Sequence, residues 1–122
     1  MNIHDFLGAV EEQSVNALFA DELAKTYNAE LTEYIKKLLS SSAESIFFEN
    51  DDILRLLSHN EILNASDELS VDFTGLRLIP IFDTGDNDYI VFDIGNDKWC
   101  KFNIVDSVKF KQKSLLSEFF RK

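Results

Sequence analysis

The sequence predicts an α+β fold in which N-terminal helices precede a central, mostly antiparallel sheet and a closing helix. Three observations carry this reading. Apolar residues recur at helical spacing through the first third of the chain. Strand-like runs separated by Gly, Asp and Asn turns fill the stretch from Val71 to Lys111, and helical spacing returns at the end. Runs of one element type followed by runs of the other argue for an antiparallel meander rather than βαβ units.

Ile3, Phe6, Leu7 and Val10 form the first helical stripe, and Val15, Leu18, Phe19 and Leu23 form a second, with a break near Gln13-Ser14. Asn28 is the candidate N-cap of a third segment, whose stripe is Leu31, Tyr34, Ile35, Leu38 and Leu39 and whose end is the serine run Ser40-Ser41-Ser42. Ser45 to Glu49 is short and apolar and fits a strand. Ser58-His59-Asn60-Glu61 matches a capping box, so a short helix is expected from about His59 to Ala65, preceded by the apolar Ile53, Leu54, Leu56 and Leu57.

The sheet is read from Val71 onward. Leu76 to Phe82 is β-rich, and its Pro80 cannot donate to a ladder, so it demands a bulge, a strand end or an edge. Asp83 to Asn87 is turn chemistry, in which Gly85 supplies positive φ and Asp or Asn closes side-chain turns. Tyr89 to Phe92 is continuously apolar, as expected of a strand covered on both faces. Gly95-Asn96 marks the next hairpin turn. Cys100, Phe102 and Ile104 alternate with Lys101 and Asn103, and Val108 and Phe110 alternate with Lys109 and Lys111, the latter an edge strand guarded by lysines. Leu115, Leu116, Phe119 and Phe120 share a face of the closing helix, with Arg121 and Lys122 suited to its C-terminus.

At 122 residues, 45% hydrophobic and 28% charged, the chain fits one globular domain, and we read 1–122 as such. The eleven phenylalanines are core filler. A single cysteine, Cys100, allows no internal disulfide, and the first residues lack the pattern of a secretory signal. No apolar run approaches the roughly 20 residues of a membrane helix, so a cytoplasmic protein without membrane contact is expected.

Charge is unevenly spread. Residues 1–97 carry 20 acidic and 5 basic side chains, whereas residues 98–122 carry 2 and 7. An acidic surface keeps a protein soluble, and it also steers a basic partner. Direct nucleic-acid binding is disfavoured, because phosphate contacts need a cationic footprint that residues 1–97 do not offer.

No constellation calls for catalysis, a cofactor or a metal. His4 and His59 lie in different elements and lack zinc-ligand spacing with Cys100. Cys100 sits mid-strand beside Trp99, where a cysteine behaves as a small hydrophobe. The loop from Asp83 to Asp88 fails the EF-hand pattern: counted from Asp83, position twelve is Ile94, and counted from Asp86, position six is Val91. The four glycines are isolated, which excludes a phosphate-binding loop.

The stretch from Leu78 to Asp93, with Pro80, Gly85, Asp86, Asp88, Tyr89 and Asp93 at matching positions, resembles the SUKH superfamily, which contains yeast regulators of cell-wall glucan synthesis and many bacterial relatives. The helix Leu31 to Leu39 is similar to the family's helical motif, with Thr32 where that motif has proline and the serine run where Asn-Gly commonly follows. The resemblance implies an α+β fold and structural roles for Pro80, Gly85, Tyr89 and Asp93. It also implies a non-enzymatic immunity protein that neutralises a toxin domain, often a nuclease. The alternative is a regulatory interaction module like the fungal members. For a partner-binding site we single out the turn carrying Asp83, Asp86 and Asp88, against the plainer reading that such residues only cap the turn.

Overall fold

The computed structural model describes residues 2–40, 46–49 and 52–120. The expected helix stop at Ser41 and Ser42, the strand start at Ser45 and the terminal cations Arg121 and Lys122 lie outside the described residues.

Helix α1 spans Ile3–Gly8 and runs into a 3-10 turn, Val10–Glu12. Ile3, Phe6 and Val10 are buried, as their spacing predicts. After a break at residues 13–16, α2 spans Ala17–Tyr27, its N-terminus capped by Asn16, whose Oδ1 accepts the Phe19 N–H at 3.2 Å. The buried stripe of α2 is Phe19, Ala20, Leu23 and Tyr27, so Leu18 faces solvent at 85% exposure instead of joining the core. Asn28 does not start the third helix. It ends α2 in the left-handed conformation, φ 48°, which asparagine tolerates better than most residues. Thr32 takes the capping role, accepting the Ile35 N–H at 3.2 Å ahead of α3, Glu33–Ser40.

Strands β1 (Ile46–Glu49) and β2 (Asp52–Leu56) form a hairpin. In β2, Leu54 and Leu56 are buried while Ile53 is exposed, the period of two expected of a strand. Helix α4 (His59–Leu63) begins at the capping box: Ser58 Oγ accepts the Glu61 N–H at 3.2 Å and the Ser58 N–H reaches Glu61 Oε1 at 3.0 Å. Two further helices follow, α5 (Ala65–Leu69) and α6 (Phe73–Leu76). The latter occupies residues expected to be strand. Asp72 caps it, accepting the Gly75 N–H at 3.0 Å, and Ser66 Oγ accepts the Phe73 N–H at 3.1 Å, so local capping overrides the apolar character of Val71, Phe73 and Leu76.

The remaining strands are β3 (Leu78–Asp83), β4 (Asp88–Asp93), β5 (Lys98–Asn103) and β6 (Val108–Lys113). The described strands form one six-stranded antiparallel sheet in the order β1-β2-β3-β4-β5-β6. The α+β class and the meander are as the sequence predicts. A 3-10 helix, Leu116–Phe120, closes the chain. It buries Leu116 and Phe120 but leaves Leu115 56% exposed, because it begins one residue after Leu115 and the tighter winding breaks the expected common face.

Cross-strand partners share a face of the sheet. One face carries Phe47, Phe82, Phe92 and Trp99, and helices cover it: Phe6 lies 5.1 Å from Phe47, Phe120 lies 6.4 Å from Phe82, and Tyr34 of α3 lies 6.4 Å from Trp99. On the other face Phe102 meets Phe73 of α6 at 5.8 Å, and Arg55 meets Glu61 of α4. Tyr89, Ile90, Val91 and Phe92 are therefore all buried, as a doubly covered strand requires. The Tyr27 hydroxyl donates to the Leu78 carbonyl at 2.8 Å, fixing the end of α2 against the start of β3. No helix among the described residues is long and apolar enough to cross a membrane.

Candidate functional site

Strands β3 to β6 begin at residues 78, 88, 98 and 108 and each contains six residues, so the meander advances by ten. In such a meander successive turns fall at opposite ends of the sheet, so alternate turns share an end. The turns at 84–87 and 104–107 are therefore neighbours, and the Ile104 N–H donates to the Asn87 carbonyl at 3.0 Å. This places Asp83, Asp86, Asp88 and Asp106 at one end.

The turn at 84–87 is built by its own residues. Asp83 Oδ1 accepts the Gly85 N–H at 2.9 Å, and the Asp88 N–H donates to the Gly85 carbonyl at 2.9 Å. Gly85, Asp86 and Asn87 have φ of 83°, 52° and 66°. Positive φ at both central residues of the Gly85–Asp88 turn is the type I′ pattern that follows the right-handed twist of a hairpin, and Asp and Asn are among the side chains that tolerate it.

The base of the turn is anchored. Arg55 of β2 lies opposite Asp83 and approaches its Oδ2 at 3.5 Å, while giving two hydrogen bonds to Glu61, at 2.8 and 2.9 Å. The Arg55 hydrogen bonds, helped by the Ser58 backbone, outweigh partial burial and hold the Glu61 carboxyl down at about 2. Asp88 Oδ1 accepts from Asn103 Nδ2 at 2.8 Å, and Asn103 Oδ1 in turn accepts the N–H groups of Val105 and Asp106 at 3.0 and 2.9 Å.

The three predicted carboxylates therefore divide. Asp83 and Asp88 are half-buried and build the turn, whereas Asp86 is exposed at its tip. Asp106, which the sequence reading missed, is exposed beside it, and Val105 is 70% exposed. Neither Asp86 nor Asp106 has an ion-pair partner among the described residues. The ten-residue spacing of strand-end residues Asp83, Asp93 and Asn103 is the signal that would have found Asp106.

The other motif residues, Pro80, Tyr89 and Asp93, lie within strands β3 and β4. Pro80 is buried at a bulge, the register shifting between Pro80 and Phe82, and the carbonyl of the extra residue Ile81 accepts the Leu57 N–H at 2.9 Å. Tyr89 is buried opposite Asp83 and Phe102. Asp93 is the only buried charged side chain among the described residues; it accepts from Asn96 at 3.3 and 2.8 Å and from Lys109 at 3.0 Å. Burial pushes its carboxyl upward, but those hydrogen bonds prevail and hold it below the usual range.

His59 stacks on Phe19 at 3.8 Å and its Nε2 lies 2.8 Å from the Leu39 carbonyl, tying α2, α3 and α4 together. Burial, followed by the nearby Asp93, pushes the Cys100 thiol up to about 11. No group of three or more His, Cys, Asp or Glu among the described residues could hold a metal ion. What the acidic end offers is two free carboxylates and an apolar side chain on a stiff base, an arrangement suited to contacting a cationic surface. No family model, curated protein or solved structure matches the chain.

Proposed function

We propose that this protein is a non-enzymatic binding domain that neutralises a basic toxin domain, such as a nuclease of a bacterial polymorphic toxin system, in the cytoplasm. The observation that carries the reading is the pair Asp86 and Asp106, exposed and unpaired on neighbouring turns that are braced by hydrogen bonds of Asp83, Thr84, Asp88 and Asn103. A carboxylate carried on a braced backbone loses only side-chain freedom when it meets a lysine or arginine. A nuclease must present cations to hold phosphate, and an acidic protein competes for that surface. The balance of 20 acidic to 5 basic residues over 1–97 adds long-range attraction. The SUKH resemblance of residues 78–93 supports the same role.

The reading expects the neighbouring gene to encode a large secreted protein with a variable C-terminal toxin domain, and the test is binding to that domain. Asp86→Asn keeps a side chain that tolerates φ 52°, and Asp106→Lys reverses an exposed charge. The double variant should melt like wild type, associate roughly tenfold more slowly at low salt, and show a weaker salt dependence. Unchanged association would remove the acidic end from the interface. Failure of wild type to protect cells expressing that toxin would end the immunity reading.

A further inference from the structure

A second surface differs from the acidic end in both charge and shape. A cleft of about 420 Å³ opens where α1, α3, β5 and the closing 3-10 helix converge, with Leu7, Tyr34, Trp99, Leu115 and Leu116 among its lining. Its aromatic wall is held by packing: Trp99 meets Phe92 at 4.9 Å on one side and Tyr34 at 6.4 Å on the other, both edge-on. The cleft therefore exists before anything enters it. Leu115 stands at its rim, 56% exposed.

Cations continue the same face. Lys113 lies directly opposite Trp99, and Lys101 follows two residues along β5, opposite the half-buried Phe110. Lys111 sits between Phe110 and Lys113, where the register shifts, at φ 52°. None of the three has an ion-pair partner among the described residues, whereas Lys109 pairs with Asp93 and Lys98 donates to Ser114 Oγ at 3.0 Å. Of the carboxylates on nearby elements, Glu11 takes Lys37 at 3.4 Å, Glu33 takes Lys36 at 3.4 Å, and Glu118 accepts the Leu115 N–H at 3.1 Å. Lysines on an edge strand discourage pairing with other strands. That function needs only charge at the edge, and it explains neither a preformed aromatic cleft nor a leucine at its rim.

We infer that this cleft is a second binding site, which takes a leucine or aromatic side chain from an acidic segment of another protein, the carboxylates flanking that side chain meeting Lys101 and Lys113. A central apolar anchor within a rim of complementary charge is a common division of labour at protein interfaces. Charge complementarity selects the occupant, because in a chain of net charge −10 this is where unpaired cations gather beside apolar surface.

Trp99 is the only tryptophan, so its emission reports on the cleft. Random peptides displayed on phage would be selected on the wild-type protein and synthesised for titration. The expected peptides carry net negative charge and at least one leucine or aromatic residue, and they shift the Trp99 emission. They should bind roughly tenfold more weakly to Lys113→Glu and to Leu115→Glu. Both sites are at least partly exposed, and matching thermal melts would show that the variants fold. Selected peptides that are neutral or basic, that leave the emission unchanged, or that bind the variants equally well would overturn the inference. So would self-association of the wild type abolished by Leu115→Glu, since a second copy would then fill the cleft.

Discussion

Arg55 of β2 and Glu61 of α4 face each other as a fork on a fork, with Nη1 to Oε1 at 2.8 Å and Nη2 to Oε2 at 2.9 Å. The same glutamate completes the capping box with Ser58, and the same arginine reaches Asp83 at the base of the acidic turn. One helix start, one strand and one turn are thereby joined through two side chains. Lysine could not replace Arg55, since a single ammonium cannot make the planar bidentate contact.

This pair predicts an acid-dependent loss of stability. Glu61 titrates at about 2 in the folded protein against an ordinary value of 4.5, so its contribution is present above pH 4.5 and disappears as pH falls towards 2. Glu61→Gln keeps a capping side chain but loses the ion pair. Because both groups are partly open to solvent, the variant should be less stable by only about 1–2 kcal/mol at pH 7, the gap closing by pH 2. Urea unfolding at both pH values checks this, and an equal gap at each would deny the pair any electrostatic role.

Val91 is completely buried in β4, while Val105 stands 70% exposed on the turn after β5. Val91→Asp buries a charge with no designed partner and should cost about 3–5 kcal/mol, whereas Val105→Asp should stay within about 0.5 kcal/mol. Thermal melts of the two variants, run side by side, decide whether this strand is central.

Two glycines separate backbone strain from space. A Cβ at either Gly8 or Gly85 would meet nothing within 4 Å, but Gly85 has φ 83° and Gly8, in α1, has no such requirement. Gly85→Ala should destabilise by about 1 kcal/mol through its left-handed backbone, and Gly8→Ala should stabilise by about 0.5 kcal/mol. Opposite shifts in denaturation midpoint are expected; equal shifts would contradict the turn geometry.

Cys100 should be inert in the folded state. The side chain is buried and its thiol is pushed up to about 11, so little thiolate exists at pH 8. A thiol-disulfide reagent should label it only as fast as the protein opens, and labelling at the rate of a free thiol would mean that the β4–β5 region is far looser than its packing implies.

By itself, the sequence determined the features that depend on near neighbours. Helical spacing placed Ile3, Phe6 and Val10 inside, the Ser58–Glu61 spacing marked a helix start, and Gly85 with Asp83 declared a turn, because each rests on bonds or periodicity spanning a few residues. The unbroken run Tyr89 to Phe92 also announced a doubly covered strand. Tertiary structure alone decided how distant segments share those residues. Asn28 reads as a helix start until Ala24 and Lys25 offer carbonyls to its N–H and make it a helix stop. Leu115 reads as core until the closing turn tightens and leaves it at a cleft. The acidic candidates Asp83, Asp86 and Asp88 look alike in sequence. They separate only when Arg55, 28 residues from Asp83, and Asn103, 15 from Asp88, arrive across the sheet and leave Asp86 free. Local chemistry is set by bonds along the chain, whereas which polar group remains available depends on which others the folded sheet brings within reach.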